Sequence, residues 1–235
     1  MEISAAIREA FVLLFTGDAE LWRIIWVSVK TSIISLLIAS PFAVLSGYLM
    51  ASFRFPGRKI LIWLTQVSLS FPTVLIGLML YLLLSRQGPL GSFHWLFSQK
   101  GIIAGQVLIG LPVLVAFTLA CVQAADPRLA ETSVTLGASR FRVMMTVLKE
   151  VRFGVMAAII NGFGRILSEV GCALMVGGNI ARETRTITTA IALETSKGEF
   201  AQGIALGILL IAVALVINGV LMLIQGEAHT SGVAL

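Results

Sequence analysis

The stretch FAQGIALGILLIAVALVINGVLMLIQG, Phe200 to Gly226, runs its whole length without an Asp, Glu, Lys or Arg. A hydrocarbon core of ~30 Å needs about 20 apolar residues in a helix, so this segment is long enough to cross a bilayer. Three more stretches share the property: Thr31 to Phe53, Ile60 to Ser85 and Gly101 to Ala125. A fifth, Phe153 to Gly178, is interrupted only by Arg165 and Glu169. Backbone groups in lipid must bond within their own segment, which makes each span a helix. A barrel is excluded because the segments are continuously apolar and do not alternate. The chain of 235 residues is 57% hydrophobic and 12% charged, against roughly 25% charged in a soluble domain. That balance excludes a disulfide scaffold, a disordered chain and an ordinary cytosolic enzyme. The fold class expected is an all-α membrane protein with about five transmembrane helices.

Residues 1–30 do not read as a cleavable signal, because the apolar run Ala10 to Phe15 is short and Glu2 and Glu9 replace a positive region. Residues 3–15 (ISAAIREAFVLLF) read as a short interfacial helix or a frayed terminus. The division expected is an outer segment at 1–30, a transmembrane domain at 31–226 and a tail at 227–235. Pro41, Pro72 and Pro112 fall inside spans, where they kink helices. Gly101/Gly105 and Gly203/Gly207 have the spacing that lets helices approach closely. Cys121 and Cys172 read as small buried hydrophobes, and His94 and His229 stand alone, so no metal site is expected. No basic patch interleaved with aromatics suggests nucleic acid.

Five spans put the termini on opposite sides. The basic residues divide evenly between the two sides, so charge does not settle the orientation. The acid-free loop FRFPGRK mildly favours the side of residues 51–59 and 122–152 as cytoplasmic.

The segment between the third and fourth spans is DPRLAETSVTLGASRFRVMMTVLKEVR, Asp126 to Arg152. Asp126 is a good N-cap and Pro127 a good first helical residue. Gly137 can end that helix in a left-handed conformation, and Ser139 can cap a second. Leu129, Val134, Phe141, Met144 and Val147 supply an apolar side. Such a pair at the membrane surface suits docking of a soluble partner; an interfacial loop with no partner is the alternative.

The run Ala130-Glu131-Thr132-Ser133, followed by Gly137-Ala138-Ser139 and Phe141, resembles the coupling loop of ABC importer permeases. SFPTVLIGLMLYLLLSRQGPLG (70–91) is similar to molybdate and tungstate permeases. ILSEVGCALMVGGNI and TTAIALETSKGEF are more similar to the tungstate permease subunit than to sulfate permeases. The likeness covers about residues 30 to 225. One departure is that Leu148 is followed by Lys149 where many permeases have proline, so the second loop helix is expected to run toward span four.

The resemblance implies a type I ABC importer permease fold in a prokaryotic cytoplasmic membrane. It puts the coupling loop in the cytoplasm, the N-terminus outside and the C-terminus inside. It also implies that Glu131, Thr132, Ser133, Gly137, Ala138, Ser139 and Phe141 couple to an ATPase. The implied assembly holds a second copy of the chain, two cytoplasmic ATPase subunits and an extracytoplasmic oxyanion-binding protein, all in lipid. The chain itself is then a non-catalytic subunit without a cofactor, ATP and Mg being bound by the ATPase. The substrate implied is tungstate, with molybdate or sulfate as rivals. A stand-alone secondary anion transporter and a non-transporting scaffold are the other readings.

Energetics agree with a separate engine. Moving a dianion against an inside-negative potential costs about 2.3 kcal/mol per charge per 100 mV. Concentrating it adds about 1.4 kcal/mol per tenfold gradient. The sequence has no GxxxxGK[ST] phosphate loop to draw on ATP.

Arg165 and Glu169 are the only ionisable residues within a span and are four apart, so they can pair. One reading is that their face lines a pathway, with Asn161 one turn earlier. The other is an ion pair that fixes packing. Beyond them, Gly177-Gly178-Asn179 followed by Arg182 and Arg185 offers backbone amides and guanidinium groups to an oxyanion, or forms a polar surface loop.

Overall fold

The computed structural model describes residue 12 and residues 19–225. The expected interfacial helix at 3–15 and the tail at 227–235 lie almost wholly outside the described residues. Among the described residues the regular elements are helices, with one 3-10 turn at Gly91–Phe93. In order they are α1 (Ala19–Ser52), α2 (Arg58–Ser68), α3 (Thr73–Leu84), α4 (Gln99–Ala124), α5 (Pro127–Thr135), α6 (Arg140–Glu150), α7 (Arg152–Leu167), α8 (Gly171–Gly177), α9 (Ile187–Ser196) and α10 (Phe200–Gln225).

Three of these, α1, α4 and α10, are long and apolar enough to cross a membrane alone. Two bent pairs complete the set: α2 with α3, bent by 103°, and α7 with α8, bent by 58°. Side-chain neighbours show that each pair recrosses the bundle. Lys30 reaches Gln99, Ser35 reaches Gln106 and Gly47 lies against Thr118, so α1 and α4 run parallel. The chain between them must therefore return through α2 and α3. In turn α7 and α8 run antiparallel to α4, from Gly154 on Cys121, through Gly162 on Leu114, to Gly177 on Ile102.

The uncharged run places the start of the first span at Thr31, but α1 starts at Ala19 and passes Lys30 without a break. Its 34 residues span about 50 Å at 1.5 Å per residue, well over the hydrocarbon thickness. Pro41 and Pro112 lie within continuous helices. Pro72 does not: it caps the N-terminus of α3 with φ −60° and ψ 120°. The expected continuous span from Ile60 to Ser85 is thus two helices. Proline lacks a backbone donor and forces the preceding Phe71 away from helical angles. The span from Phe153 to Gly178 is also two helices, separated at Ser168, Glu169 and Val170, and no proline explains that break.

In a bilayer, lipid is as apolar as leucine, so helices associate through close packing and hydrogen bonds. The core follows that rule. Leu36, Ala39 and Ala43 of α1 pack with Leu114, Val115 and Leu119 of α4 and with Phe163 and Ile166 of α7. Buried hydroxyls on α1 first bond their own helix: Ser28 Oγ to Ile24 O at 2.9 Å, Thr31 Oγ1 to Val27 O at 2.8 Å, Ser35 Oγ to Thr31 O at 2.7 Å. Two of them also bond across helices. Ser35 Oγ also lies within hydrogen-bond distance of the Gln106 side-chain amide, 2.9 Å from Oε1, and Ser28 Oγ accepts from Ile187 N at 2.7 Å. The two helix breaks meet. A methyl added at Gly77 of α3 would lie 2.7 Å from Cys172 Cα of α8, and one at Gly171 would lie 2.6 Å from Val74 Cγ2. The outward face of α10 is apolar, with Ile211, Leu215, Val216, Met222 and Leu223 exposed, as a lipid-facing helix requires.

Candidate functional site

Helices α5 and α6 sit at the end of the bundle reached by the C-terminus of α4. Their geometry is set by local caps. Asp126 Oδ1 accepts from Arg128 N at 2.9 Å, with Pro127 as the first helical residue. Ser139 Oγ accepts from Arg142 N at 3.4 Å to start α6. Between them Gly137 has φ +78°, the left-handed region that disfavours a side chain. Gly137 N donates to Val134 O at 2.9 Å and Ala138 N to Ser133 O at 3.0 Å, which closes the last turn of α5. A short turn at Val151, φ −86° and ψ 12°, separates α6 from α7, so the loop leads into span four with only a slight interruption.

The apolar side read from the sequence divides in two. Val147 is buried, and Met144 packs beside it, against Tyr48 and Val122; Val143 joins them. That half anchors the helix pair to α1 and α4. Val134 and Phe141 face outward at 60% and 67% exposure. They are joined by Leu136 at 82% and Met145 at 50%, two residues the sequence reading did not select. Glu131, Thr132 and Ser139 are also exposed, while Ser133 and Ala138 are half-buried. The outcome is an apolar knob at a glycine turn with polar residues around it. Leu136, placed directly before the turn glycine, carried a signal in its position.

The second region lies on span four. Arg165 Nη1 meets Glu169 Oε2 at 3.1 Å, with the Glu169 side chain 2% exposed and that of Arg165 38% exposed. Glu169 lies beyond the end of α7 and works as a joint. Its Oε1 accepts from Cys172 N at 2.9 Å in the first turn of α8. Its backbone oxygen accepts from Thr188 Oγ1 of α9 at 2.8 Å. Asn161 is exposed and donates to Ala157 O of its own helix at 2.8 Å. Ala157, Asn161 and Arg165 share one face of α7, with Ser168 just past its end; Ala157, Asn161 and Ser168 are exposed and Arg165 is half-buried, whereas Ala158, Phe163 and Ile166 are buried on the other face.

At the far end of α8, Gly177 is buried and Gly178 ends the helix at φ +69°. Asn179 and Arg182 also have positive φ, 49° and 65°. Ile180 O accepts from the amides of Glu183, Thr184 and Arg185 at 3.0 to 3.2 Å, so the segment is a tight turn. Its threonines are committed to that turn and to α9. Thr184 Oγ1 donates to Gly177 O at 2.6 Å, and Thr186 and Thr189 form a reciprocal cap. Arg185 pairs with Glu20 at 3.3 Å. Arg182 is exposed. The structure therefore separates the two arginines: Arg185 ties the turn to the start of α1, and Arg182 presents its charge to solvent. Arg165 and Arg182 lie beyond opposite ends of α8. Among the described residues no three His, Cys, Asp or Glu side chains come together.

The model of binding-protein-dependent transport system inner membrane components matches residues 39–226. The chain is 38% identical to the tungstate uptake system permease protein TupB of Campylobacter jejuni, over 90% of this chain and 88% of that protein. It is 39% identical to a probable anion ABC transporter permease protein of Haloferax volcanii, over 72% of this chain and 76% of the other. The molybdenum transport system permease protein ModB of Escherichia coli is 28% identical over 76% and 82%. In shape the chain is similar to the crystal structure of a bacterial ABC transporter involved in the import of the acidic polysaccharide alginate. The TM-score there is 0.76 at 20% identity, covering 95% of this chain and 87% of that chain.

Proposed function

The chain belongs to the family of binding-protein-dependent transport system inner membrane components, and from that premise we propose that it forms the membrane pathway of an ATP-driven tungstate importer. It is a multi-pass permease subunit with the fold of a type I ABC importer permease. The observation that carries the substrate is the 38% identity to a tungstate uptake permease across 90% of the chain. Molybdate is the second reading, favoured by the 28% identity to ModB over 76% of the chain.

In this reading two copies face each other across the pathway, which fits the two-fold symmetry usual in oligomers. The strip of Asn161 and Arg165 on α7 with Ser168 just past its end supports this, since Asn161 and Ser168 are exposed in one copy and Arg165 is half-buried beside Glu169. The turn from Gly177 to Arg185 faces outside and receives the anion from a binding protein, with Arg182 as the exposed cation. The α5–α6 pair faces the cytoplasm. Its knob of Val134, Leu136, Phe141 and Met145 enters a groove on the ATPase, and Glu131 lies beside it. ATP and Mg are bound on that separate subunit. The N-terminus is then outside and the C-terminus inside.

The test is tungsten and molybdenum content by mass spectrometry in cells grown at scarce supply of both. A deletion strain is compared with its complement. The expected result is that the complement restores tungsten selectively. Restoration of neither metal overturns the reading, and restoration of molybdenum alone moves it to the second.

The outer turn is tested in the same assay. Arg182→Glu is expected to lower uptake by about tenfold, the lower end of what local electrostatic steering supplies. Arg185→Glu is expected to lower the membrane level of the protein as well, because it sets two carboxylates, the new one and Glu20, side by side. Wild-type uptake in the double variant would remove both residues from the mechanism.

A further inference from the structure

The 103° bend between α2 and α3 opens a cavity of about 770 Å³ against α1 and α4. That volume falls within the range of roughly 300–1,000 Å³ of small-molecule sites. Its wall is almost wholly apolar, formed among others by Leu49, Leu64, Met79, Leu111 and Val115. It reaches from the end of α1 to Leu108 and Pro112, near the middle of α4, and therefore to mid-membrane depth. Phe55 lines it at one end.

Phe55 also lines a second cavity of about 560 Å³, whose walls include Arg54, Arg58 and Lys59. Arg58 is partly spent, since its Nε donates to Met50 O and its Nη2 to Ala51 O at 3.4 Å, where it caps the carbonyl end of α1. Arg54 and Lys59 are exposed. Among the described residues no carboxylate pairs with any of the three cations. The two cavities adjoin at Phe55, one cationic at the membrane surface and one apolar running into the bilayer.

We propose that this pair of cavities binds one anionic phospholipid, its phosphate held at Arg54 and Lys59 and an acyl chain lying in the cavity between α1, α2, α3 and α4. The charge complementarity selects an anion, and the apolar depth selects an amphiphile over a free anion or a soluble protein. Each basic residue near a membrane surface contributes about 1 kcal/mol toward an anionic headgroup, about a fivefold preference. The site lies beside the anchored half of α6, since Tyr48 and Ala51 at the end of α1 pack with Val143 and Val147. A lipid seated there would brace the end of the bundle that carries α5 and α6.

The test uses the full chain reconstituted in nanodiscs with equal amounts of phosphatidylglycerol and phosphatidylcholine. Lipid retained after detergent extraction is read by mass spectrometry. The wild type is expected to retain phosphatidylglycerol. Arg54→Gln with Lys59→Gln is expected to weaken that retention by about twenty-five-fold, two charges at about fivefold each. Thr65→Phe, which puts a ring into the apolar cavity and leaves the cations in place, is expected to weaken lipid retention too. Equal retention of phosphatidylcholine, or undiminished retention in both variants, overturns the proposal. So does displacement of the lipid by inorganic phosphate, which would make the site one for a free anion. If the Gln variant keeps its lipid but loses a co-purifying ATPase, the loop is a protein contact and the lipid site is excluded. None of these readouts depends on which anion the chain transports.

Discussion

Arg165→Ala is expected to destabilise the folded chain by about 3 kcal/mol, and adding Glu169→Gln is expected to recover most of that loss. The reason is the asymmetry of the pair. Glu169 is buried, and its partner supplies the counter-charge from the exposed side at 3.1 Å. Removing one member of a buried pair leaves an uncompensated charge, typically at a cost of roughly 3–5 kcal/mol. The lower end applies because the Arg165 side chain is 38% exposed and part of its field is already screened. A glutamine at 169 removes the stranded charge and can still accept the 2.9 Å bond from Cys172 N. Unfolding can be followed by alkylation of Cys172, which is 1% exposed in the folded chain. A double variant no more stable than Arg165→Ala would show that the stranded charge is not the source of the loss. Uptake by the double variant then divides the two readings of span four. A stable, assembled and inactive double variant assigns Arg165 to the pathway. Recovered transport assigns the pair to the joint between α7, α8 and α9.

If the α5–α6 turn docks an ATPase as proposed, Gly137→Val is expected to lower co-purification of that subunit by roughly fivefold to thirtyfold, and Gly137→Asn to leave it nearly unchanged. Beyond its chain neighbours, no atom lies within 4 Å of where a Cβ would sit at Gly137, so crowding at that position is not the issue. The cost comes from φ +78°, which penalises an L residue by roughly 1–2 kcal/mol. Valine is branched at Cβ and asparagine tolerates the left-handed region, so the two variants separate backbone shape from side-chain size. The energy is paid where it matters, because the turn aims Leu136 and Phe141 outward on either side of it. Equal loss with asparagine would mean that the glycine surface itself makes the contact. Full retention with valine would mean that the turn does not govern docking.

What the sequence made legible follows the range of the interactions concerned. The spans were visible because the absence of charge over some twenty residues is a composition signal that no tertiary contact can reverse. The caps of α5 and α6 were visible because Asp126, Pro127, Gly137 and Ser139 act within four residues of themselves. The start of α1 was not. Lys30 interrupts the uncharged run, yet its ammonium leaves the helix to meet Gln99 at 3.1 Å, so the helix continues past it. The break after Leu167 was also hidden. It is held by the Thr188 hydroxyl on Glu169 O and by the Glu169 carboxylate on Cys172 N, and the first of these crosses 19 residues of sequence. Pro72 did carry a local signal of a break, but nothing local to it sets the 103° angle between α2 and α3. The division of the loop's apolar side between anchor and knob depended on where Tyr48 and Val122 would lie, which no window around residue 140 contains.

The contact between the two broken spans constrains how either of them can move. Gly77 fits against the backbone of Cys172, and Gly171 fits against Val74, so each elbow is seated in the other. Such a fit leaves no clearance for one to slide past its neighbour. Rotation of the elbow on span two is therefore expected to carry the elbow on span four, and with it Glu169 and the start of α8. If the transport proposed above uses such a rotation, the two elbows move together, without a half-open state in which one span has moved and the other has not.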